Sequence, residues 1–153
     1  MDKLLPPVTL GQLMEEWGRD SPMDLTDLME ETAKIPVLHS KYITILSHHK
    51  ALMREQQLAL DTAKKVKIEW FSGRLNSQED LERHNLEPSF VTYARDAAVN
   101  QATIEPDVID IAKKVIENEE IVEACVAIIK EINNRTYQLG TMTKWYGFSK
   151  GLD

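Results

Sequence analysis

The chain has 153 residues, with 18 basic and 25 acidic side chains and a formal net charge of −7. This length fits one domain, or one domain with an arm. Six Gly and six Pro exclude collagen-like and low-complexity classes, and the single cysteine, Cys125, excludes an internal disulfide framework. The sequence has no long uncharged apolar run, so we expect neither a membrane span nor a signal peptide.

The charges are unevenly distributed along the chain. Residues 1–33 have a net charge of −6, residues 34–74 of +5, residues 75–133 of −8 and residues 134–153 of +2. Because the Debye length is about 8 Å at physiological salt, distant acidic segments do not cancel the local field of the basic one. The sequence therefore places one basic element in an acidic protein.

The N-terminal part is predicted to be an acidic helical arm, residues 1–34. Apolar spacing indicates a short amphipathic helix over residues 9–18. Ser21 followed by proline is typical of a helix start, so a second short helix is expected there. It should end before Pro36, because the residue before a proline avoids the α conformation.

Residues 35–153 are predicted to form a single helical domain that begins with a long basic helix, residues 35–73. From position 38 to position 70, mostly apolar residues recur at steps of four and three, which indicates a seam for a partner helix. Gly73 is expected to stop this helix in the left-handed conformation.

A variable loop is predicted over residues 74–109, with one short helix capped by Ser77 and room for another before Pro106. Residues 110–150 are predicted to be a second long helix, because apolar residues recur every three or four positions to Tyr146. The expected fold is all-α, a hairpin or bundle of two long helices with short N-terminal helices.

No catalytic or metal-binding pattern is recognisable in the sequence. There is no phosphate-cradling glycine loop, no HExxH motif and no CxxC motif. His48 and His49 are adjacent, so they point about 100° apart on a helix and do not chelate one ion together. Cys125 lies in an apolar run, which is typical of a buried thiol. We therefore predict that the protein is not an enzyme and holds no metal or other cofactor.

The most informative cluster is KKVKIEWFSGR, residues 64–74. Basic side chains attract phosphates through counterion release, and aromatic rings offer faces on which unpaired bases stack. The candidate DNA-binding residues are Lys50, Arg54, Lys64, Lys65, Lys67, Trp70, Phe71, Ser72, Gly73 and Arg74. From the residues alone, a solvated helix end with Trp70 packed in the seam remains the alternative.

This segment resembles the basic, aromatic and Ser-Gly motif of the UvsY family of phage recombination mediators. The segment EINNRTYQLGTMTKWYGFSKG, residues 131–151, resembles the last helix of that family, and order and spacing agree over residues 35–151. Lys65 and Lys67 match the basic positions of the motif. Lys67 replaces a familiar Arg, which keeps the charge but not the planar fork of donors.

The resemblance implies a homo-oligomeric protein that binds single-stranded DNA without enzymatic activity. It implies loading of a RecA-like, UvsX-type recombinase onto strands covered by the phage single-strand-binding protein, during phage recombination, replication and repair in the host cell cytoplasm. The C-terminal helix is implied to build a hexameric or heptameric ring, with candidate contacts at Ile132, Arg135, Tyr137, Leu139, Met142, Trp145, Tyr146 and Phe148. The alternative is a helical structural or adaptor oligomer that binds only protein partners.

Overall fold

The computed structural model describes residues 9–151. Within that range the chain forms five α-helices and no β-strand: α1 (Leu10–Asp20), α2 (Leu28–Phe71), α3 (Gln78–Arg83), α4 (Arg95–Thr103) and α5 (Pro106–Ser149). The all-α prediction with two long helices is confirmed. The first eight residues of the predicted arm and the last two residues of the chain lie outside the described residues.

The contacts divide the chain into two compact units. The first unit contains the described residues up to Ala51 and those from Glu117 onward, and the second is Leu52–Ile116. Helices α2 and α5 each contribute one part to each unit. The predicted boundary between residues 34 and 35 falls inside α2, and the division into an arm and one domain stays a prediction.

The first unit is built around apolar side chains from α1, α2 and α5. Its buried members are Leu13, Tyr42, Ile45, Ile121, Cys125, Ile128 and Ile132. All except Leu13 occupy the predicted three-and-four spacing of the two long helices. Full burial of one large apolar side chain stabilises a fold by about 1.5–3 kcal/mol, which is why this spacing decides which helix faces meet.

Polar residues within the two seams are buried as well, and they are bonded. The Nδ1 atom of His49 lies 2.9 Å from Oδ1 of Asn118. The Arg135 guanidinium donates to the carbonyl of Ser21 and lies 5.2 Å from the ring centroid of Trp17. Because an unbonded buried polar group costs about 1–3 kcal/mol, these pairs favour one packing arrangement over its alternatives.

The predicted helix start at Ser21 is wrong. Ser21 is the C-cap of α1, and its N–H donates to the carbonyl of Trp17 at 2.7 Å. The carboxylate of Asp24 accepts hydrogen bonds from both the N–H and the hydroxyl of Thr26. Asp24 therefore forms a turn of the kind that short polar side chains favour, and the helix does not begin there.

Helix α2 begins directly after Asp27 and continues through Pro36. The Asp27 carboxylate accepts from the N–H of Glu30 at 3.0 Å, the pattern of an N-cap. The predicted break before Pro36 is wrong, although a proline in a helix interior costs about 3 kcal/mol. Ile35 and Leu38, on either side of the proline, pack against the core of the first unit and offset that cost.

The second unit forms around the end of α2. Its small core contains Phe71, Ala98 and Ala102, with Ile68, Trp70 and Tyr93 packed against them. Gly73 has a φ of +75°, which confirms the predicted left-handed stop. A Cβ atom on this glycine would lie 3.1 Å from the hydroxyl oxygen of Thr92, and the N–H of Tyr93 donates to the Phe71 carbonyl at 2.8 Å. The segment before α4 is thus fastened to the end of α2.

The two short helices of the second unit lie in the segment where the sequence predicts them, whereas the long helices begin earlier than predicted. The hydroxyl of Ser77 accepts from the N–H of Asp80 at 3.2 Å and caps α3 as expected, and α4 is the second short helix. Helix α5 starts at Pro106, earlier than predicted, because proline is favoured at the first helical position. No helix within residues 9–151 is long and apolar enough to cross a membrane.

Candidate nucleic-acid interface

Four cationic side chains line one groove of the second unit. Lys64 and Lys65 lie in the last turns of α2, Arg74 follows Gly73, and Arg95 begins α4. The groove has a volume of about 380 Å³, and its other lining residues are Asp61, Ile68, Glu69 and Ser72. The four cations outnumber the two carboxylates, so the groove has a positive net charge.

The groove cations differ from Lys67 and Arg83 of the same unit, which are both paired with carboxylates. Lys65, Arg74 and Arg95 are exposed, and Lys64 is half-buried. Within residues 9–151, none of the four has a carboxylate oxygen within 4 Å. An unpaired exposed cation is free to exchange its counterions for a phosphate, so the groove suits a polyanion.

The end of α2 determines where Arg74 lies. The N–H of Gly73 donates to the carbonyl of Trp70 at 3.1 Å, and the N–H of Arg74 donates to the carbonyl of Glu69 at 2.9 Å. These two bonds form a Schellman motif, which requires a left-handed residue at the position of Gly73. The Ser-Gly ending of the basic segment therefore turns the chain back so that Ser72 and Arg74 both line the groove.

The DNA contact predicted for Lys67 stays a prediction, and the structure shows an ion pair at this residue. The Lys67 ammonium lies 3.0 Å from a carboxylate oxygen of Glu105 and 3.5 Å from one of Asp107, and its side chain is only 13% exposed. It also lies 5.4 Å from the ring centroid of Trp70. Lys67 does not line the groove, because its charge is used to pair with residues at the start of α5.

The stacking role predicted for Trp70 and Phe71 also stays a prediction, and the structure packs both rings within the unit. Phe71 is buried and makes an edge contact with Tyr93, with ring centroids 5.7 Å apart. Trp70 packs on Phe71 at 4.8 Å between centroids, and its indole N–H donates to the carbonyl of Glu87 at 2.8 Å. Both rings serve the core of the second unit, so they do not offer two open faces to a base.

The two remaining basic candidates are exposed on α2 but lie outside the groove. Lys50 belongs to the first unit, and Arg54 belongs to the second. Their predicted contact with DNA stays a prediction.

The eight candidate oligomerisation residues fall into two groups. Ile132, Arg135 and Leu139 are buried within the first unit, and their role as contacts between subunits stays a prediction. Met142 is half-buried. The four aromatic candidates in the last part of α5 are exposed: Tyr137, Trp145, Tyr146 and Phe148. A concentration of exposed aromatic side chains at one helix end is typical of an interaction surface.

Arg95 is the groove residue that sequence reasoning missed. It lies in the segment predicted as a variable loop, where no periodicity singles it out. The loop is anchored by Thr92 over Gly73 and by Tyr93 on Phe71, and this brings Arg95 to the groove.

Two further observations concern chemistry. Burial raises the pKa of the Cys125 thiol to about 11, so at neutral pH it is protonated and unreactive. Across the part of the chain that the structure describes, no group of three or more His, Cys, Asp or Glu side chains is arranged to hold a metal ion.

The comparisons with known proteins concern the family and the fold. The model of a family described as the recombination, repair and ssDNA-binding protein UvsY matches residues 16–152. The chain belongs to the UvsY family. Two crystal structures of the bacteriophage T4 recombination mediator protein UvsY share the fold, with TM-scores of 0.79 and 0.81 and 22% sequence identity. They cover 91% and 94% of this chain, which in turn covers 98% and 99% of theirs.

The predicted family resemblance is thereby confirmed. No curated protein sequence matches the chain. The UvsY family consists of DNA-binding recombination and repair proteins of phages and is not known as a family of enzymes.

Proposed function

We propose that the protein binds single-stranded DNA in its basic groove and acts as a recombination mediator in phage recombination, replication and repair. The groove is the observation that supports this most. It gathers four cations without acidic partners at one place, in a chain whose family is described as ssDNA-binding. The positive charge follows the end of α2 and continues onto α4, so it suits an extended polyanion better than a small anion.

Each subunit binds weakly by itself. A single strand loses about 0.7 counterions for each phosphate that is neutralised, so four contacts give a salt slope of about −3 per subunit. Several linked grooves bind one strand more tightly than a single groove does, by about 10²–10⁴ without any new contact. Binding of this kind depends on assembly of the subunits.

The proposed assembly is a homo-oligomeric ring, hexameric or heptameric, held by the aromatic residues at the end of α5. Tyr137, Trp145, Tyr146 and Phe148 are between 59% and 80% exposed. Apolar side chains of this size bury about 150–250 Å² each when they are covered, which makes them the main candidates for contact energy.

The proposed partners are a RecA-like, UvsX-type recombinase and the phage single-strand-binding protein, inside the infected host cell. A strand held through its phosphates by several grooves is stretched. This weakens its contact with the single-strand-binding protein while the strand stays available to the recombinase. The step uses no cofactor, because it consists only of changes in the contacts that three proteins make with one strand.

The test is a salt titration of strand binding with two matched variants. Lys65→Ala with Arg74→Ala removes two groove cations, and Arg83→Ala removes an exposed arginine that pairs with Glu79 in α3 instead. We expect the double variant to reduce the slope of log affinity against log salt by about 1.4, at about 0.7 per phosphate. Arg83→Ala should keep the parent slope. Fluorescence anisotropy of a labelled thymidine oligonucleotide measures both.

A double variant with the parent slope would show that the groove is not the binding site. A parent protein that does not bind the oligonucleotide at low salt would favour the alternative of an adaptor that binds only proteins. The two results differ, because the second concerns the function and the first concerns only its location.

A further inference from the structure

One phenylalanine of the second unit is almost fully exposed. Phe90 is 99% exposed, whereas the other Phe, Tyr and Trp residues of Leu52–Ile116 pack in or against the small core. The ring contributes nothing to that core, and both of its faces are open. This unit therefore presents one exposed aromatic ring outside the predicted basic segment.

The position of Phe90 follows from the anchored loop. Thr92 lies directly over Gly73, because a Cβ atom on that glycine would be 3.1 Å from the Thr92 hydroxyl oxygen. Consecutive Cα atoms are about 3.8 Å apart, so the Cα atom of Phe90 is within about 8 Å of that of Thr92. Ser72 and Arg74, on either side of Gly73, both line the basic groove. The backbone of Phe90 is therefore held close to the glycine that separates these two groove residues.

Arg95 lies on the other side of the same anchor. It follows Tyr93, whose N–H is fixed on the Phe71 carbonyl at 2.8 Å, and its side chain lines the groove with Arg74. It has no carboxylate partner within residues 9–151. One short loop therefore presents an open aromatic face and a free guanidinium five residues apart.

We propose that Phe90 and Arg95 form a nucleotide subsite for an unpaired strand. Arg95 binds a backbone phosphate beside Arg74, and the ring of Phe90 stacks on a base of the same strand. The combination of a basic groove with an aromatic face is the general means of holding single strands without sequence preference. Only an unpaired base has a free face, so the subsite also discriminates single strands from duplex. This inference rests on the proposed function and adds to it the residues that recognise the base.

The experiment compares two strands that carry the same phosphates. One is a thymidine oligonucleotide, and the other is a strand of equal length made of abasic sites. The variants are Phe90→Leu, Phe90→Tyr, Arg95→Ala and, as the matched control, Val91→Ala, which alters the neighbouring exposed apolar residue. Because the altered side chains are exposed, we expect the thermal unfolding of all variants to match that of the parent.

Stacking on one base is worth enough to predict the size of the effect. Phe90→Leu should weaken binding of the thymidine strand by about 5- to 150-fold and leave the abasic strand unaffected. Phe90→Tyr should bind like the parent, because it keeps the ring. Arg95→Ala should weaken binding of both strands and reduce the salt slope by about 0.7.

Each outcome supports or overturns a named part of the proposal. A Phe90→Leu variant that binds the thymidine strand as tightly as Val91→Ala does would overturn the stacking role. Arg95→Ala with the parent salt slope would overturn the phosphate contact. In both cases the parent still binds the strand, so the proposed function stands. A parent that binds neither strand would overturn the proposed function and this inference together.

Discussion

Replacement of Lys67 distinguishes a structural role from a DNA contact. Its ammonium lies 3.0 Å from Glu105 and 3.5 Å from Asp107, with 13% of the side chain exposed. Lys65, two residues earlier, is exposed and has no carboxylate within 4 Å among the described residues. We expect Lys67→Ala to lower the free energy of unfolding and keep the salt slope of strand binding. Lys65→Ala should reduce the slope and keep the stability.

The magnitude follows from the burial of the ion pair. Exposed pairs contribute about 0–1 kcal/mol, whereas breaking a buried pair costs about 3–5 kcal/mol. Here the cation is mostly buried, but the carboxylates of Glu105 and Asp107 are 25% and 57% exposed, so water screens part of the interaction. We therefore expect a loss of about 1–2 kcal/mol from the pair. Removal of the cation from the Trp70 ring adds about 0.5–1 kcal/mol.

The assay is urea unfolding followed by far-ultraviolet circular dichroism. Protein concentration is held constant for all variants, because association shifts apparent stability by mass action. A double-mutant cycle of Lys67→Ala with Glu105→Gln isolates the pair, and we expect a coupling energy of about 0.5–2 kcal/mol. Lys65→Ala is the matched control and should change stability by less than about 0.5 kcal/mol.

Two results would refute this reasoning. One is a Lys67→Ala variant as stable as Lys65→Ala, with no coupling to Glu105. The other is a decrease of the salt slope by about 0.7 in Lys67→Ala, which would mean that this ammonium leaves its carboxylates to neutralise a phosphate.

Three further predictions concern the backbone, pH and assembly. Gly73→Ala should lower the free energy of unfolding by about 1–2 kcal/mol, because this residue is left-handed. Gly140→Ala should raise it by about 0.5–1 kcal/mol, because Gly140 lies within α5 and a Cβ atom there meets open space. Shifts of the thermal unfolding temperature in the same direction for both variants would contradict this. A hydrogen bond from Lys34 lowers the pKa of Glu31. The ionised Glu31 carboxylate therefore stabilises the fold above the unfolded pKa of about 4.3, and this stabilisation is lost as pH falls through the lower folded pKa. Glu31→Gln should therefore flatten the acid limb of a stability–pH curve, and an unchanged limb would exclude the pair as its source. Trp145→Ser with Phe148→Ser should reduce the sedimentation coefficient, and an assembly of parent size would remove these residues from the subunit contact.

The long helices could be predicted because the apolar residues buried on one face of a helix recur every three or four positions in the sequence. Tyr42 and Ile45 in α2, and Cys125 and Ile128 in α5, all lie in the core of the first unit, as their spacing indicates. His49 continues that spacing despite its polarity, since a hydrogen bond compensates for its burial. The position in the heptad was thus a better guide to burial than the chemistry of the side chain.

The start of α2 could not be predicted from local signals, because several of them compete. Ser21, Asp24 and Asp27 are all residues that cap helices, and the sequence alone does not rank them. The structure uses the first at a helix end, the second in a turn and the third as the N-cap. The continuation through Pro36 is decided by packing of its neighbours, which is a tertiary effect.

The candidate site was predictable as a segment, but not residue by residue. The basic and aromatic composition of residues 64–74 pointed to the part of the second unit that holds the groove. What composition does not show is which charges are already paired. The partner of Lys67 is Glu105, 38 positions away, and the exposed ring is on a loop without periodicity.

Helical geometry explains why the groove needs residues from outside the basic segment. Successive residues of an α-helix are rotated by about 100°, so Lys65 and Lys67 point about 200° apart on α2. In the proposed binding mode, a strand that follows one side of the helix contacts Lys65 and leaves Lys67 on the far side, next to the carboxylates that pair with it. Further phosphates then require cations from other elements on the side of Lys65. Arg74 and Arg95 meet that requirement, because the left-handed stop and the anchored loop bring both to the same groove.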